Sequence, residues 1–221
     1  MKPLSLFYCM WLIFLSLLFS CNHHAGNQGT EQADASGLKG DSAKSNIDSS
    51  TLKAKKEKSN QPAAWSVNEQ ASKVNFTIKN FGNDVHGSLG GLKSTIHFDE
   101  KNLKASSFEA SVKVNTINTG SEKRDRDLMH PKYFDGANYP EITFKSDNIV
   151  SSGKAYKTIG TLTIKGKSLR KEIPFTFEEK GNSGIFKSEF ILQRLDYGVG
   201  GEGPIMGKDV TVSLEIVAEK K

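Results

Sequence analysis

From Trp65 onward, apolar and polar residues alternate along the chain. Val74, Phe76 and Ile78 share one side of a segment whose other side is Lys73, Asn75, Thr77 and Lys79. Leu92, Ile96 and Phe98 extend the pattern to Asp99-Glu100-Lys101-Asn102, a turn signal. Phe108, Ala110, Val112 and Val114 then stand opposite Glu109, Ser111, Lys113 and Asn115. Successive side chains of a strand point to opposite faces, so each run predicts a strand with one buried face.

The pattern resumes further on. Ile142 and Phe144 lead one strand, and Tyr156 to Ile164 form another beyond Ser151-Ser152-Gly153. Ile173, Phe175 and Phe177 alternate with Pro174, Thr176 and Glu178, and Pro174 predicts an edge or a bulge there. Gly181-Asn182-Ser183-Gly184 reads as a hairpin connection. Phe186, Phe190 and Leu192 follow, and Val210, Val212, Leu214 and Ile216 make the last strand. About eight or nine strands joined mostly by short turns predict an antiparallel barrel or sandwich.

One connection is long. Asn115 to Pro140 holds a charged run, Glu122 to Asp127, then Leu128, His130, Pro131, Tyr133, Phe134 and Tyr139. Connections of this length in a compact domain carry structure or function. Ser121 is a candidate helix N-cap with acidic residues behind it, so a short helix is expected from Ser121 to Met129. The aromatics would pack this segment over one barrel end as a lid. Arg124, Asp125, Asp127, Tyr133 and Phe134 are its candidate residues.

The first 62 residues are of another kind. Lys2 precedes an apolar run from Leu4 to Phe19, which ends at Ser20-Cys21. A membrane span needs roughly 20 apolar residues, and this run has the length of an export-signal core. A small residue followed by cysteine resembles the lipobox of bacterial lipoproteins. That likeness implies a signal over 1–20 and a lipid-modified Cys21 in the bacterial cell envelope, facing the periplasm or on the outer membrane. Acyl chains add about 0.8 kcal/mol per buried methylene. Residues 22–62 are rich in Gly, Ser, Asn, Gln, Ala and Lys, too poor in apolar surface to offset ordering, and read as a tether. The folded domain is expected over 63–221.

Candidate chemistry narrows the picture. The 2 cysteines are Cys9 and Cys21, so the domain itself holds no thiol. The 5 histidines (His23, His24, His86, His97 and His130) lack metal-ligand spacing, and no metal or other cofactor is expected. Over 63–221 the 23 Lys and Arg against 20 Asp and Glu leave a formal charge of +3, spread without blocks, which argues against nucleic acid. Arg124-Asp125-Arg126-Asp127 could supply catalytic carboxylates, but ion pairs and helix-end bonds explain it more simply. Gly198-Val199-Gly200-Gly201-Glu202-Gly203 joins no strand to a helix, so it reads as a mobile rim loop and not as a phosphate loop. No catalytic residue is assigned.

Several pieces in order resemble the YceI-like (polyisoprenoid-binding) family. They are Trp65-Ser66-Val67, Ser72-Lys73-Val74-Asn75-Phe76, Thr116-Ile117-Asn118-Thr119-Gly120, Arg124-Asp125 and Asp127-Leu128. Tyr133-Phe134-Asp135, Tyr139-Pro140-Glu141-Ile142, Gly160-Thr161-Leu162-Thr163-Ile164, Asp196-Tyr197-Gly198 and Gly207-Lys208-Asp209-Val210 complete the set. The resemblance implies an all-β fold, an eight-stranded antiparallel lipocalin-like barrel with a short helical lid. It also implies an elongated apolar interior that holds a long isoprenoid or quinone-type molecule without chemistry. Ala71, Leu89 and Lys167-Ser168 depart from the pattern and bear on cavity shape.

The in-facing candidates for binding such a ligand follow from the alternation. The first half supplies Phe76, Ile78, Phe108, Val112, Val114 and Phe144. The second half supplies Leu162, Ile164, Phe175, Phe177, Phe190, Leu192, Val212 and Leu214. Ordinary core packing is the competing account of each. Expected partners are an apolar lipid or isoprenoid and the membrane through Cys21, with a homodimer as an option. The alternative function is an envelope interaction or structural protein with a packed barrel and no ligand.

Overall fold

The computed structural model describes residues 61–221, so the signal, Cys21 and nearly all of the tether lie outside it. Ten β-segments and one short helix make the fold. In chain order they are β1 (Ala64–Val67), β2 (Lys73–Asn80), β3 (Asn83–Leu89), β4 (Lys93–His97) and β5 (Ser107–Lys113). Helix α1 (Glu122–Leu128) precedes β6 (Glu141–Ser152), β7 (Ala155–Ile164), β8 (Lys167–Lys180), β9 (Ser183–Gln193) and β10 (Met206–Lys220).

The segments form a closed antiparallel barrel with eight strand positions. From β4 the order runs through β5, β6, β7, β8 and β9 to β10, and β1 closes the ring by pairing with both β10 and β4. β1 and β2 occupy one position in turn along β10, with Val67 opposite Ala218 and Val74 opposite Leu214. Between them, Ser72 Oγ donates to Asn68 O at 2.7 Å and accepts from Val217 N at 3.0 Å, bridging the break. β3 and β4 likewise share a position, interrupted at Gly90-Gly91.

Register defines the two ends. Met206 faces Asn80 at one end, beside the β2–β3 turn and the segment linking β9 to β10. Trp65 faces Lys220 and Glu219 faces Ser183 at the other. The first is called the mouth and the second the base; Ala64 enters at the base.

Two sequence expectations change here. The alternation carries β5 through Val114, but the strand ends at Lys113 and Val114 opens a 3-10 turn, Val114–Thr116. Buried Val114, 2% exposed, thereby keeps its inward position without strand pairing. Pro174 was expected at an edge or bulge, yet it lies inside β8 and pairs in register with Lys157. The other side of β8 explains why it is tolerated. The β8–β9 ladder covers only Thr176–Lys180, so Pro174 lacks its N–H just where pairing to β9 has stopped. Ser188 Oγ donates to Pro174 O there at 2.6 Å.

The base half is solid. Trp65, Phe98, Phe175 and Phe186 are buried, with Phe108, Tyr156 and Phe177 packed against them. Phe98 is 1% exposed and meets Phe177 edge-on at 4.9 Å between centroids, Tyr156 at 5.3 Å and Phe186 at 5.5 Å. Edge-to-face rings at such distances add to the energy of burial alone. Trp65 Nε1 donates to Phe98 O at 3.0 Å, so the one polar group of the indole is satisfied inside.

Candidate functional site

The mouth half is hollow. A cavity of about 500 Å³ lies between β2, the mouth ends of β7, β9 and β10, and the lid segment. A second compartment of about 210 Å³ continues toward the base between β5, β6, β7, β8 and β9. Leu89, Ile142, Ile164, Leu192 and Val212 stand in the walls of both, so the two lie next to each other. An eight-stranded barrel has room for one small ligand where side chains do not fill it.

Most of the expected wall residues meet there. Phe76 and Ile78 line the larger compartment, and Ile164, Leu192 and Val212 line both. Phe108, Val112, Phe144, Leu162, Phe175, Phe190 and Leu214 line the smaller one. Phe76 has its place because Gly87, its cross-strand partner, has no side chain; a Cβ there would collide with the ring. Two expectations are corrected. Val114 and Phe177 are not among the residues lining either compartment. Val114 packs below the lid, near the Cα of Gly136. Phe177 belongs to the solid base, 5.3 Å from Trp65 and 4.7 Å from Phe186 between centroids. Phe175 holds both roles: it borders the smaller compartment and stacks on Tyr156 at 5.3 Å.

The lid is built around Thr119. Asp125 Oδ1 accepts from Thr119 N at 2.9 Å and from Thr119 Oγ1 at 2.6 Å. Arg124 donates to the same hydroxyl through Nε and to Thr119 O through Nη2, both at 2.8 Å. Ser121 caps α1, accepting weakly from Arg124 N at 3.5 Å. Arg124, Asp127, Tyr133 and Phe134 stand in the wall of the larger compartment, whereas Asp125 holds Thr119 and is not a wall residue. The pKa of Asp127 is lowered, chiefly by its hydrogen bond from Lys123, so it faces the mouth already paired.

Sequence reasoning missed three mouth residues. Arg194, 4% exposed, donates to the carbonyls of Gly207, Val199, Gly201 and Met206 at 2.7 to 3.0 Å. Burial pushes its pKa below the usual value, and carbonyl dipoles hold the charge. The glycine-rich segment 198–203 stands at the rim, and this guanidinium bonds its carbonyls at Val199 and Gly201. Lys165 Nζ donates to Pro131 O at 2.7 Å and Gly198 O at 2.9 Å, tying the lid to the same segment. Tyr197, 2% exposed, stands in the wall beside them. The signal for Arg194 was a lone cation closing an apolar strand just before a glycine run, whose carbonyls lack side chains to shield them.

Two large apolar residues remain exposed at the rim. Phe81, 71% exposed, and Ile205, 47% exposed, both border the larger compartment. Phe81 N donates to Ile205 O at 2.8 Å, and Phe81 sits at φ +50, a left-handed conformation that is costly for a bulky side chain. Among the described residues, no group of His, Cys, Asp and Glu is arranged to hold a metal ion.

The YceI-like domain model matches residues 65–218, nearly the whole of this barrel. The chain belongs to the YceI-like family. It is 30% identical over 108 residues to a UPF0312 protein of Yersinia pestis, covering 48% of this chain and 54% of that one. The chain thus spans about half the length of that relative. It is 26% identical over 160 residues to Protein YceI of Salmonella arizonae, covering 66% and 82% of the two chains. Among solved structures, BcnA of Burkholderia cenocepacia superposes with a TM-score of 0.67 at 24% identity, over 69% of this chain and 99% of that one. A polyisoprenoid binding domain from Saccharophagus degradans, implicated in plant cell wall breakdown, gives 0.56 at 14% identity, over 72% and 99%. These likenesses establish the closed eight-stranded barrel with its short helix.

Proposed function

We propose that this YceI-like protein is a non-catalytic lipid carrier of a bacterial cell envelope, holding one long isoprenoid or quinone-type molecule in its barrel. The observation that carries the reading is the pair of adjacent compartments inside the barrel, walled mainly by aliphatic and aromatic side chains. Such a space gains affinity by removing apolar area from water, and a flexible chain can follow it from the lid inward. The name of the Saccharophagus degradans domain supports the same ligand class. The alternative, a packed barrel without ligand, describes only the base half.

The proposal extends to the membrane. Cys21 is the acylation site, and residues 22–62 link it to the base end of the barrel. The exposed Phe81 and Ile205 suit a rim that exchanges lipid with a bilayer.

Native mass spectrometry of the purified protein, followed by organic extraction, tests the reading. An apolar molecule should accompany the parent and be lost from Ile78→Gln without loss of fold. A parent that is empty and takes up no long-chain probe would favour the surface-interaction role. Cys21→Ser should release the protein from membranes; an unchanged membrane fraction would remove the anchor from the proposal.

A further inference from the structure

The barrel wall is not sealed between β8 and β9. β7 pairs with β8 from Ile164 opposite Lys167 to Tyr156 opposite Phe175, and β9 pairs with β10 from Ser183 to Gln193. The β8–β9 ladder, by contrast, holds only from Thr176 opposite Lys187 to Lys180 opposite Ser183. Lys167 to Phe175 on one strand and Ser188 to Gln193 on the other make no ladder bond to each other.

The phase of the backbone shows what faces this seam. Ser188 Oγ donates to Pro174 O at 2.6 Å, so the backbone of Pro174 faces β9. Backbone groups two residues apart on a strand point the same way, which turns those of Arg170 and Glu172 to the seam as well. Thr176 meets Lys187 at the last rung, and Glu189 and Ile191 follow Lys187 in the same phase. The N–H and C=O groups of these four residues have no backbone partner across the seam, and all four residues are exposed. Buried backbone groups are almost always paired, so these lie open to water and the wall is parted here.

Behind the seam lies the smaller compartment. Ile173, Phe175, Phe190 and Leu192 line it, and Ser188 stands in the same wall. Toward the base it is stopped by Phe108, Phe175 and Phe186, which belong to the solid core around Phe98. On the outer lip of the seam, Ile191 is 59% exposed. Lys171 takes the inward position between Leu169 and Ile173, yet it is half-buried and lines neither compartment. Lysine tolerates such a place where its ammonium reaches water, which a gap in the wall supplies.

Building on the lipid-carrier reading, we propose that the β8–β9 seam is a side port of the barrel, through which the apolar chain of the ligand passes on entering and leaving. Pro174 keeps the port from zipping shut, because it has no N–H to give to β9. Ile191 is the outer contact of the passing chain, and Ile173 and Phe190 are the inner ones.

Hydrogen exchange and stopped-flow fluorescence test this on delipidated full-length protein, with a long alkane tagged with pyrene as the probe. The amides of Arg170, Glu172, Glu189 and Ile191 should exchange fast although each lies inside a strand; protection equal to that of β7 would overturn the parting. Glu172 and Ile191 would stand opposite each other if the ladder ran on in register, so Glu172→Cys with Ile191→Cys allows a disulfide to close the seam. Compared with the same variant reduced, the oxidised form should take up and release the probe about tenfold more slowly. Its affinity should not change, because a closed passage slows both directions alike. Pro174→Val restores the missing N–H and should slow both rates without any disulfide. Rates within about twofold of the parent in both variants would overturn the port. A loss of affinity without matched slowing would overturn it too, making the seam a wall of the bound ligand. A parent that binds no probe would sink the lipid-carrier reading and the port with it.

Discussion

At the base of the barrel, the in-facing positions hold rings that meet one another; at the mouth, the same kind of position faces open volume. Two glycines show the difference. A Cβ on Gly184 would lie 2.6 Å from the Trp65 ring and 2.8 Å from that of Phe177, so backbone and indole lock together. Gly87 also makes room for a ring, Phe76, but that ring borders the larger compartment. Aromatic residues thus fill the barrel where they converge from several strands, and merely panel it where aliphatic side chains stand opposite. What this teaches is that a hollow barrel needs a solid end. The base supplies the packing, and the mouth is free to stay open.

The sharpest way to break this comparison is to truncate one ring in each half. Phe98→Ala should cost about 3–5 kcal/mol in denaturant unfolding, because it empties a site with no route to relax. Phe76→Ala should cost less than about 2 kcal/mol, since it widens an existing space instead of opening a new one. Equal losses would mean that the two halves are packed alike.

A smaller effect is expected at the lid. Asp125→Ala strips Thr119 of its carboxylate acceptor and should cost about 1–3 kcal/mol. Hydrogen exchange should quicken at Thr119 and along α1 while the amides of β7 and β8 keep their protection. Uniform loss of protection would show that the lid is part of the barrel's cooperative unit.

The smallest effect lies at the base and depends on pH. Tyr156 donates to the Glu100 carboxylate, and that bond is the main reason its pKa is pushed up from 10.0 to about 12. A pKa raised by folding contributes stability that is complete below the unfolded value and is lost as pH climbs through the folded one. The contribution of Tyr156 should therefore fade between pH 10 and about pH 12. Absorbance titration of the parent minus Tyr156→Phe should show one phenolate forming near the upper value. Ionisation near 10, the ordinary value, would mean that the Glu100 bond is not made in solution.

Much of this was legible from alternation. Residues such as Ile78, Val112, Leu162 and Val212 were assigned inward because strand geometry leaves two faces and only one can be buried. Ser121 was legible as a cap because its side chain acts on its own next turn. Val114 and Phe177 were misread for one reason: period two says that a residue points inward, not what it meets there. Arg194 and Lys165 were missed because their partners, the carbonyls of 131, 198, 199, 201, 206 and 207, have no side-chain signature.

The sequence by itself determined the barrel, its inward faces, the capped helix in the long connection and the family. Those are local or pairwise matters, written in periodicity, turn residues and motif order. Only the tertiary structure decided that the barrel is solid at Trp65 and hollow at Tyr197. Filling depends on which side chains from distant strands arrive at one level of the barrel, and on whether their volumes add up to the space between them.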